Sequence, residues 1–193
     1  VSLQRHLYLK GPILPPAEVF AILNPLARAL EYAHGEGVVH RDIKPSNIMI
    51  STDGEVFLTD FGVAKLVESA TVTSVMAGTP AYMSPEQCAS KELDGRSDQY
   101  SLAVLAYEML AGRRPFLGQS GGITTGTLGE RIRVEHLSAS PIPPSQHNVD
   151  LPIAIDQTLS RALAKQPGSR YQSTTKLIDA LKAAIPQAAS TPT

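Results

Sequence analysis

His40-Arg41-Asp42-Ile43-Lys44-Pro45-Ser46-Asn47, followed by Asp60-Phe61-Gly62, is the stretch on which the reading of this chain turns. Between the two segments, Ile48 to Ile50 and Val56 to Leu58 are short apolar runs, and Asp53-Gly54 is a strong two-residue hairpin turn signal. A turn centred on that pair sets Asn47 opposite Asp60. Cross-strand neighbours lie roughly 5 Å apart, so an amide oxygen and a carboxylate from two separated segments can grip one hard cation. Mg²⁺ takes oxygen ligands and commonly shares them with substrate phosphates. Asp42, in the same loop as Asn47, is then a candidate base beside that cation.

The rest of the composition narrows the class. A chain of 193 residues with 42% hydrophobic content can bury the core of one ordinary domain. A net charge of -1 gives no electrostatic footprint for nucleic acid or an anionic membrane. Cys88 is the single cysteine, so no intramolecular disulfide framework exists and a reducing, cytoplasmic setting is the default expectation. The longest apolar run, around Leu102 to Leu110, is interrupted by Glu108 and is too short to span a bilayer. Val1 to Gly11 has neither the basic start nor the apolar core of a signal peptide, and the chain reads as cut from something longer.

From Pro15-Pro16-Ala17-Glu18 onward, Val19, Ile22, Leu23, Leu26, Leu30 and Ala33 recur at helical spacing until Gly35 and Gly37 stop them. Pro25 should kink that helix, and His34 near its end reads as a surface residue compatible with the helix dipole. Ser97 is a plausible N-cap for a second helix, apolar nearly all round from Leu102 to Leu110 and ended by Gly112. A helix of that kind belongs in the middle of a core. Gly118 to Gly129 reads as a flexible connector and Pro141 to Pro144 as a loop, before two amphipathic helices over Ile153 to Ala164 and Thr174 to Ile185. Val63 to Gly78 lacks sustained periodicity and carries Ser69, Thr71, Thr73 and Ser74, which reads as a loop.

The quoted segments resemble the catalytic loop and the metal-binding Asp-Phe-Gly of protein kinases. Gly78-Thr79-Pro80-Ala81-Tyr82-Met83-Ser84-Pro85-Glu86 resembles the docking segment that closes their activation loop, with Ser84 in place of the commoner alanine. Lys44 and Thr79 resemble the serine/threonine branch, and Tyr32-Ala33-His34 with Met83 to Gln87 is most similar to the bacterial eukaryotic-like (Hanks-type) group. The resemblance implies a mainly helical C-terminal lobe over 1–185, with a small β-hairpin at the active site and a linker-like tail over 186–193.

It also implies roles. Asp42 would accept or orient the proton of a substrate hydroxyl, Lys44 would neutralise phosphate charge, and Thr79 would hold both in place. Asn47 and Asp60 would hold Mg²⁺, with Mn²⁺ as the alternative ion, while Met49 and Thr59 would wall the adenine of ATP. Thr71 and Thr73 would lie in the activation loop, where a phosphate could pair with Arg41. His40, Phe61, Glu86, Asp98 and Arg170 would be structural, Arg170 pairing with Glu86 and Asp98 tying down the catalytic-loop backbone. The substrates implied are proteins bearing serine or threonine.

The chain departs from the family in one respect. The glycine-rich loop, the strand lysine and the helix glutamate that kinase chemistry also uses are not in it, since Val63-Ala64-Lys65 imitates the lysine signature but follows Asp-Phe-Gly. The expectation is a kinase fragment without its N-terminal lobe, inactive by itself, with an apolar face that favours self-association, a dimer or a partner. Two other readings stay open: a kinase-like lobe used only for docking, and a small-molecule phosphotransferase of the aminoglycoside or choline type. The docking lobe gives no reason to keep Asp42, Lys44, Asn47 and Asp60 together, and the small-molecule enzyme would not carry Phe61-Gly62 or the 78–86 segment.

Overall fold

The computed structural model describes residues 1–61, 80–119 and 126–185. Gly62, Ser69, Thr71, Thr73, Ser74, Gly78, Thr79 and the 186–193 tail, all singled out from sequence, lie outside those residues.

Ser2 caps the first helix, α1 (Leu3–Lys10), its hydroxyl accepting from the Arg5 N–H at 3.3 Å. Helix α2 (Pro16–Gly35) starts on a proline at N1, where a missing N–H costs nothing, and buries Val19, Ile22, Leu23, Leu26, Ala27 and Leu30 on one face. It continues through Pro25 to a stop at Gly37, whose φ of 74° suits glycine. Two strands follow, β1 (Ile48–Ile50) and β2 (Val56–Leu58), then a short helix α3 (Pro85–Cys88) and the long helix α4 (Gly95–Ala111). Helices α5 (Leu128–Ser138), α6 (Ile153–Ala162) and α7 (Thr174–Ala184) complete the described elements.

Helix α4 is the axis of the core. Every residue from Ser97 to Tyr107 is buried, apolar and polar alike, so the helix has no solvent face over that length. Its start lies earlier than the sequence suggests: Asp94 is the N-cap, accepting from the Arg96 N–H at 2.8 Å, and Ser97 sits inside the first turn. Helix α2 packs on α4 and α7, and α6 packs on α4 and α7, which seals α4 between them. Among the described residues no helix is long and apolar enough to cross a membrane.

The β-hairpin corrects the expected register. Ile48 pairs with Leu58, Met49 with Phe57 and Ile50 with Val56, so Thr59 lies opposite Asn47 and Asp60 falls one residue beyond. The physical reason is the turn. The Ser51 N–H donates to the Glu55 carbonyl at 2.9 Å, and Gly54, at φ 84°, closes a three-residue loop in place of a two-residue one. Val1 and Ser2 run beside β1 on its other edge, with the Ile50 N–H donating to the Val1 carbonyl at 2.8 Å.

One buried ion pair ties α3 to the segment before α7. The Arg170 side chain is fully buried and spends all five N–H donors: both carboxylate oxygens of Glu86 at 2.8 Å each, and the carbonyls of Ala164, Arg96 and Lys165. Its guanidinium lies 4.8 Å from the centre of the Tyr100 ring. Burial would raise the Glu86 carboxyl, but the Arg170 fork and the Ser97 hydroxyl outweigh it and hold the group below its usual value of 4.5. A carboxyl depressed in the folded state contributes stability above its unfolded pKa and loses it as pH falls through the folded one.

Arg170→Met should therefore cost about 3–5 kcal/mol at pH 7, because it strands a buried carboxylate. That cost should shrink as pH falls towards 4, since Glu86 without its partner is stabilised by protonation. Urea denaturation of both proteins at pH 7 and pH 4 measures the difference, and a penalty independent of pH would contradict the ion-pair account.

Candidate active site

The loop from His40 to Asn47 alternates anchors with projecting groups. His40, Ile43, Pro45 and Asn47 are buried, whereas the Asp42 side chain is 51% exposed and that of Lys44 40%. Buried residues at this spacing fix the backbone, so the two charged side chains are presented from a firm base.

His40 uses both ring nitrogens. The Asp42 N–H donates to Nδ1 at 3.3 Å, so Nε2 carries the proton and donates to the Thr59 carbonyl at 2.8 Å. The ring also meets Phe61 edge-on, with centroids 4.6 Å apart. A neutral histidine thus joins the end of β2, the aromatic of the second segment and the backbone of Asp42.

Asp98, on α4, holds the same loop from below. Its carboxylate accepts from the backbone N–H groups of His40 and Arg41, each at 2.8 Å, and from His34 Nε2 at 2.7 Å. Arg41 adopts φ 72°, a left-handed conformation that costs a non-glycine residue about 1–2 kcal/mol. Charge-assisted hydrogen bonds of about 1.5–3 kcal/mol each are sufficient to offset that. His34 is accordingly no simple surface residue: its side chain is 17% exposed and closes the Asp98 cluster.

The projecting groups converge on one atom. Lys44 Nζ lies 2.7 Å from Asp42 Oδ2, and Asn47 Nδ2 donates to that same oxygen at 2.9 Å and to the Asp42 carbonyl at 2.9 Å. The amide nitrogen is spent on Asp42, while Asn47 Oδ1 takes a long 3.3 Å hydrogen bond from Ser46. Asp60 is exposed, at φ 64°, with Thr59 Oγ1 at 3.5 Å from its carboxylate. The corrected register leaves Asn47 and Asp60 at successive rungs of the hairpin end, two oxygen donors of the kind Mg²⁺ takes alongside phosphate. Among the described residues no group of three or more His, Cys, Asp or Glu could hold a metal without such help. Met49, on the outer side of β1, is 37% exposed, and Thr59 donates its hydroxyl to the Asn47 carbonyl at 3.1 Å.

A cavity of about 480 Å³ opens beside Asp42 and Lys44, with Arg41, Tyr82, Glu108 and Arg114 in its wall. Burial raises the Glu108 carboxyl against the opposing pull of Tyr82 and Arg114, and the Tyr82 hydroxyl donates to it at 2.5 Å. Ser84 and Gln87 form a capping box on α3, and Gln87 Nε2 also donates to the Arg41 carbonyl at 2.6 Å. Neither Gln87 nor His34 stands out as a site residue from sequence. The Ser-x-x-Gln spacing of a capping box was the legible signal for Gln87, and His34 was marked only by the family likeness of Tyr32-Ala33-His34, which gave it no role.

Known proteins with this arrangement are kinases. The protein kinase domain model matches residues 1–181. Serine/threonine-protein kinase PknB of Mycobacterium leprae is 37% identical over 179 residues, which are 91% of this chain and 27% of that protein. PknL of Mycobacterium tuberculosis is 42% identical over 173 residues, 88% of this chain and 41% of that protein. The chain therefore spans well under half the length of these relatives. The crystal structure of the Mycobacterium tuberculosis PknI kinase domain superposes with a TM-score of 0.70 at 31% identity, covering 96% of this chain and 62% of that one. With motif, geometry and these likenesses in agreement, the chain belongs to the protein kinase family, in its bacterial serine/threonine branch.

Proposed function

We propose that the protein to which these residues belong transfers the γ-phosphoryl group of ATP to serine or threonine hydroxyls of other proteins, and that residues 1–185 are its catalytic lobe. The observation that carries this reading is the convergence of Lys44 and Asn47 on Asp42 Oδ2, which leaves Oδ1 as the oxygen neither of them uses.

Asp42 Oδ1 accepts the proton of the substrate hydroxyl as its oxygen attacks phosphorus, and the bond to the leaving β-phosphate oxygen breaks. Lys44, within reach of the same carboxylate, swings to the transferring phosphoryl and offsets its charge. Asn47 and Asp60 would hold Mg²⁺, which when bound would supply positive charge against the phosphates. Met49 and Thr59 border the adenine, and Thr79 steadies Lys44 and Asp42. The cavity walled by Tyr82, Glu108 and Arg114 receives the substrate chain around its hydroxyl. In the protein that also supplies a glycine-rich loop and strand lysine, Asp42→Asn should lower the phosphorylation rate by about 100-fold or more while ATP binding persists. Transfer at an undiminished rate in that variant would overturn the assignment.

Residues 1–193 contain neither that loop nor that lysine, and phosphoryl transfer depends on positioning and charge stabilisation. The isolated chain should accordingly show no robust phosphorylation of a generic basic protein. Met49, Phe57 and Phe61 are 37%, 51% and 42% exposed around the hairpin, a face suited to another lobe or a second copy. Light scattering with a hydrophobic dye tests this: self-association or dye binding is expected, and a monodisperse monomer that binds no dye would contradict it.

Thr71 and Thr73 are the regulatory sites of this reading. A phosphothreonine carries close to two negative charges and makes about one to three charge-assisted hydrogen bonds, which orders a loop when a guanidinium such as that of Arg41 is its partner. Phosphosite mapping should find them modified by the kinase itself, and the defect of Thr71→Ala/Thr73→Ala should overlap with that of Arg41→Ala. Fully additive defects, or an undiminished rate in the double variant, would break the link.

A further inference from the structure

Gln87 has two partners that pull in different directions. Its Oε1 accepts from the Ser84 N–H at 2.9 Å inside the capping box of α3, and its Nε2 donates at 2.6 Å to the carbonyl of Arg41. That carbonyl belongs to the peptide joining Arg41 to Asp42, so its direction sets the direction of the Asp42 N–H. The left-handed residue in front of it, Arg41 at φ 72°, is the place where this peptide is least self-supporting.

The contact also closes a ring. Ser97 and Asp98 are neighbours on α4: Ser97 donates to Glu86 Oε1 at 2.7 Å, while Asp98 accepts from the Arg41 N–H at 2.8 Å. Glu86 and Gln87 are neighbours on α3, and Gln87 returns to Arg41. The loop backbone is therefore gripped at its N–H by the core helix and at its C=O by the docking segment. Asp98 alone cannot fix the rotation of the Arg41–Asp42 peptide, because its hydrogen bonds end at the Arg41 N–H, and the N–H of that peptide makes only a long 3.3 Å hydrogen bond to His40 Nδ1.

We propose that Gln87 is a positioning residue for phosphoryl transfer, one side-chain amide that couples the placement of the docking segment to the orientation of Asp42. The inference deepens the kinase reading and rests on it for its kinetic consequence. Ser84 belongs to the same device: its backbone N–H holds Oε1, and its hydroxyl accepts from the Gln87 N–H at 3.3 Å, which fixes the turn from which Gln87 reaches the loop. That hydroxyl contact is the one an alanine at this position could not make.

Gln87→Glu separates this role from helix capping. Glutamate serves equally well at the third position of a capping box, so α3 keeps its cap while the donor to Arg41 is lost and a carboxylate oxygen faces a carbonyl. In the parent protein, kcat should fall about 10-fold with KM for ATP unchanged, which corresponds to the loss of about one hydrogen bond. Amide hydrogen exchange at Asp42 should accelerate by a similar factor, with the melting temperature close to that of the wild type. Ser84→Ala should show a smaller effect of the same kind, and Ser84→Thr should restore the wild-type values.

Wild-type exchange at Asp42 in Gln87→Glu overturns the proposal whatever the rate does, and faster exchange with an unchanged kcat overturns the kinetic role. A lowered kcat that only follows a lowered melting temperature reduces Gln87 to a capping residue and likewise overturns it. Exchange is read without turnover, so a failure of the kinase reading itself is seen separately, as an undiminished rate in Asp42→Asn, and exchange then decides the coupling alone.

Discussion

A single buried carboxylate carries the geometry of the candidate site. Asp98 is 1% exposed on a helix with no solvent face, and its acceptor capacity goes to two consecutive backbone N–H groups and one imidazole. Taking an ion out of water costs several kcal/mol unless hydrogen bonds replace the lost hydration. Here the replacement comes from the catalytic loop, so the loop is held in place by the same contacts that make burial of the charge tolerable. The location in the first turn of α4 adds the favourable end of the helix dipole. The exposed side chains of the loop, Asp42 and Lys44 above all, inherit their position from this point.

Most of the scaffold was legible because its signals are local. The spacing of Val19 to Leu30 defines α2, the all-round apolar run defines α4, and the amphipathic pattern from Thr174 defines α7. What escapes a reading of the sequence is short, polar, or decided by partners distant along the chain. Helix α1 has eight residues with one of them buried, too few for a period to show. Helix α5 turns Ile132, Glu135 and His136 inward, and its polar inner face has no apolar stripe although Thr127 and Glu130 spell a capping box. Asp94 in place of Ser97 as the α4 cap follows from a tertiary demand, because the Ser97 hydroxyl is engaged by Glu86 across the core.

The site itself divides in the same way. The cluster of Asp42, Lys44 and Asn47 could be expected from sequence because all three sit in one tight loop. The pairing of Asn47 with Asp60 could not be placed, because Asp53-Gly54 supports either a two-residue turn or a three-residue loop closed by Gly54, and one residue of difference moves every partner along. His34 stands 64 positions from Asp98, and that separation leaves no local pattern. The Glu86–Arg170 fork, at 84 positions, came from a family likeness and not from any local signal.

Backbone strain shows where the chain departs from its own preferences. Three non-glycine residues have positive φ among those described: Arg41 at 72°, Asp60 at 64° and Ser90 at 53°. Ser90 follows the end of α3, where the Lys91 N–H reaches back to the Glu86 carbonyl, an ordinary way to stop a helix. Arg41 and Asp60 have no such excuse. Each adjoins or is a residue proposed to do chemistry, and each is fixed by contacts from other elements: Asp98 and Gln87 hold Arg41, and His40 holds the carbonyl of Thr59 just before Asp60. A glycine at either position would relieve the strain and also free the backbone, at a conformational cost of about 0.5–1 kcal/mol. With arginine and aspartate there, the surrounding contacts must impose the left-handed turn, and a turn imposed from outside has one orientation. The strain is thus the counterpart of precision: the scaffold holds two left-handed dihedrals beside the proposed base and at the proposed metal-binding carboxylate, where the backbone must keep one course.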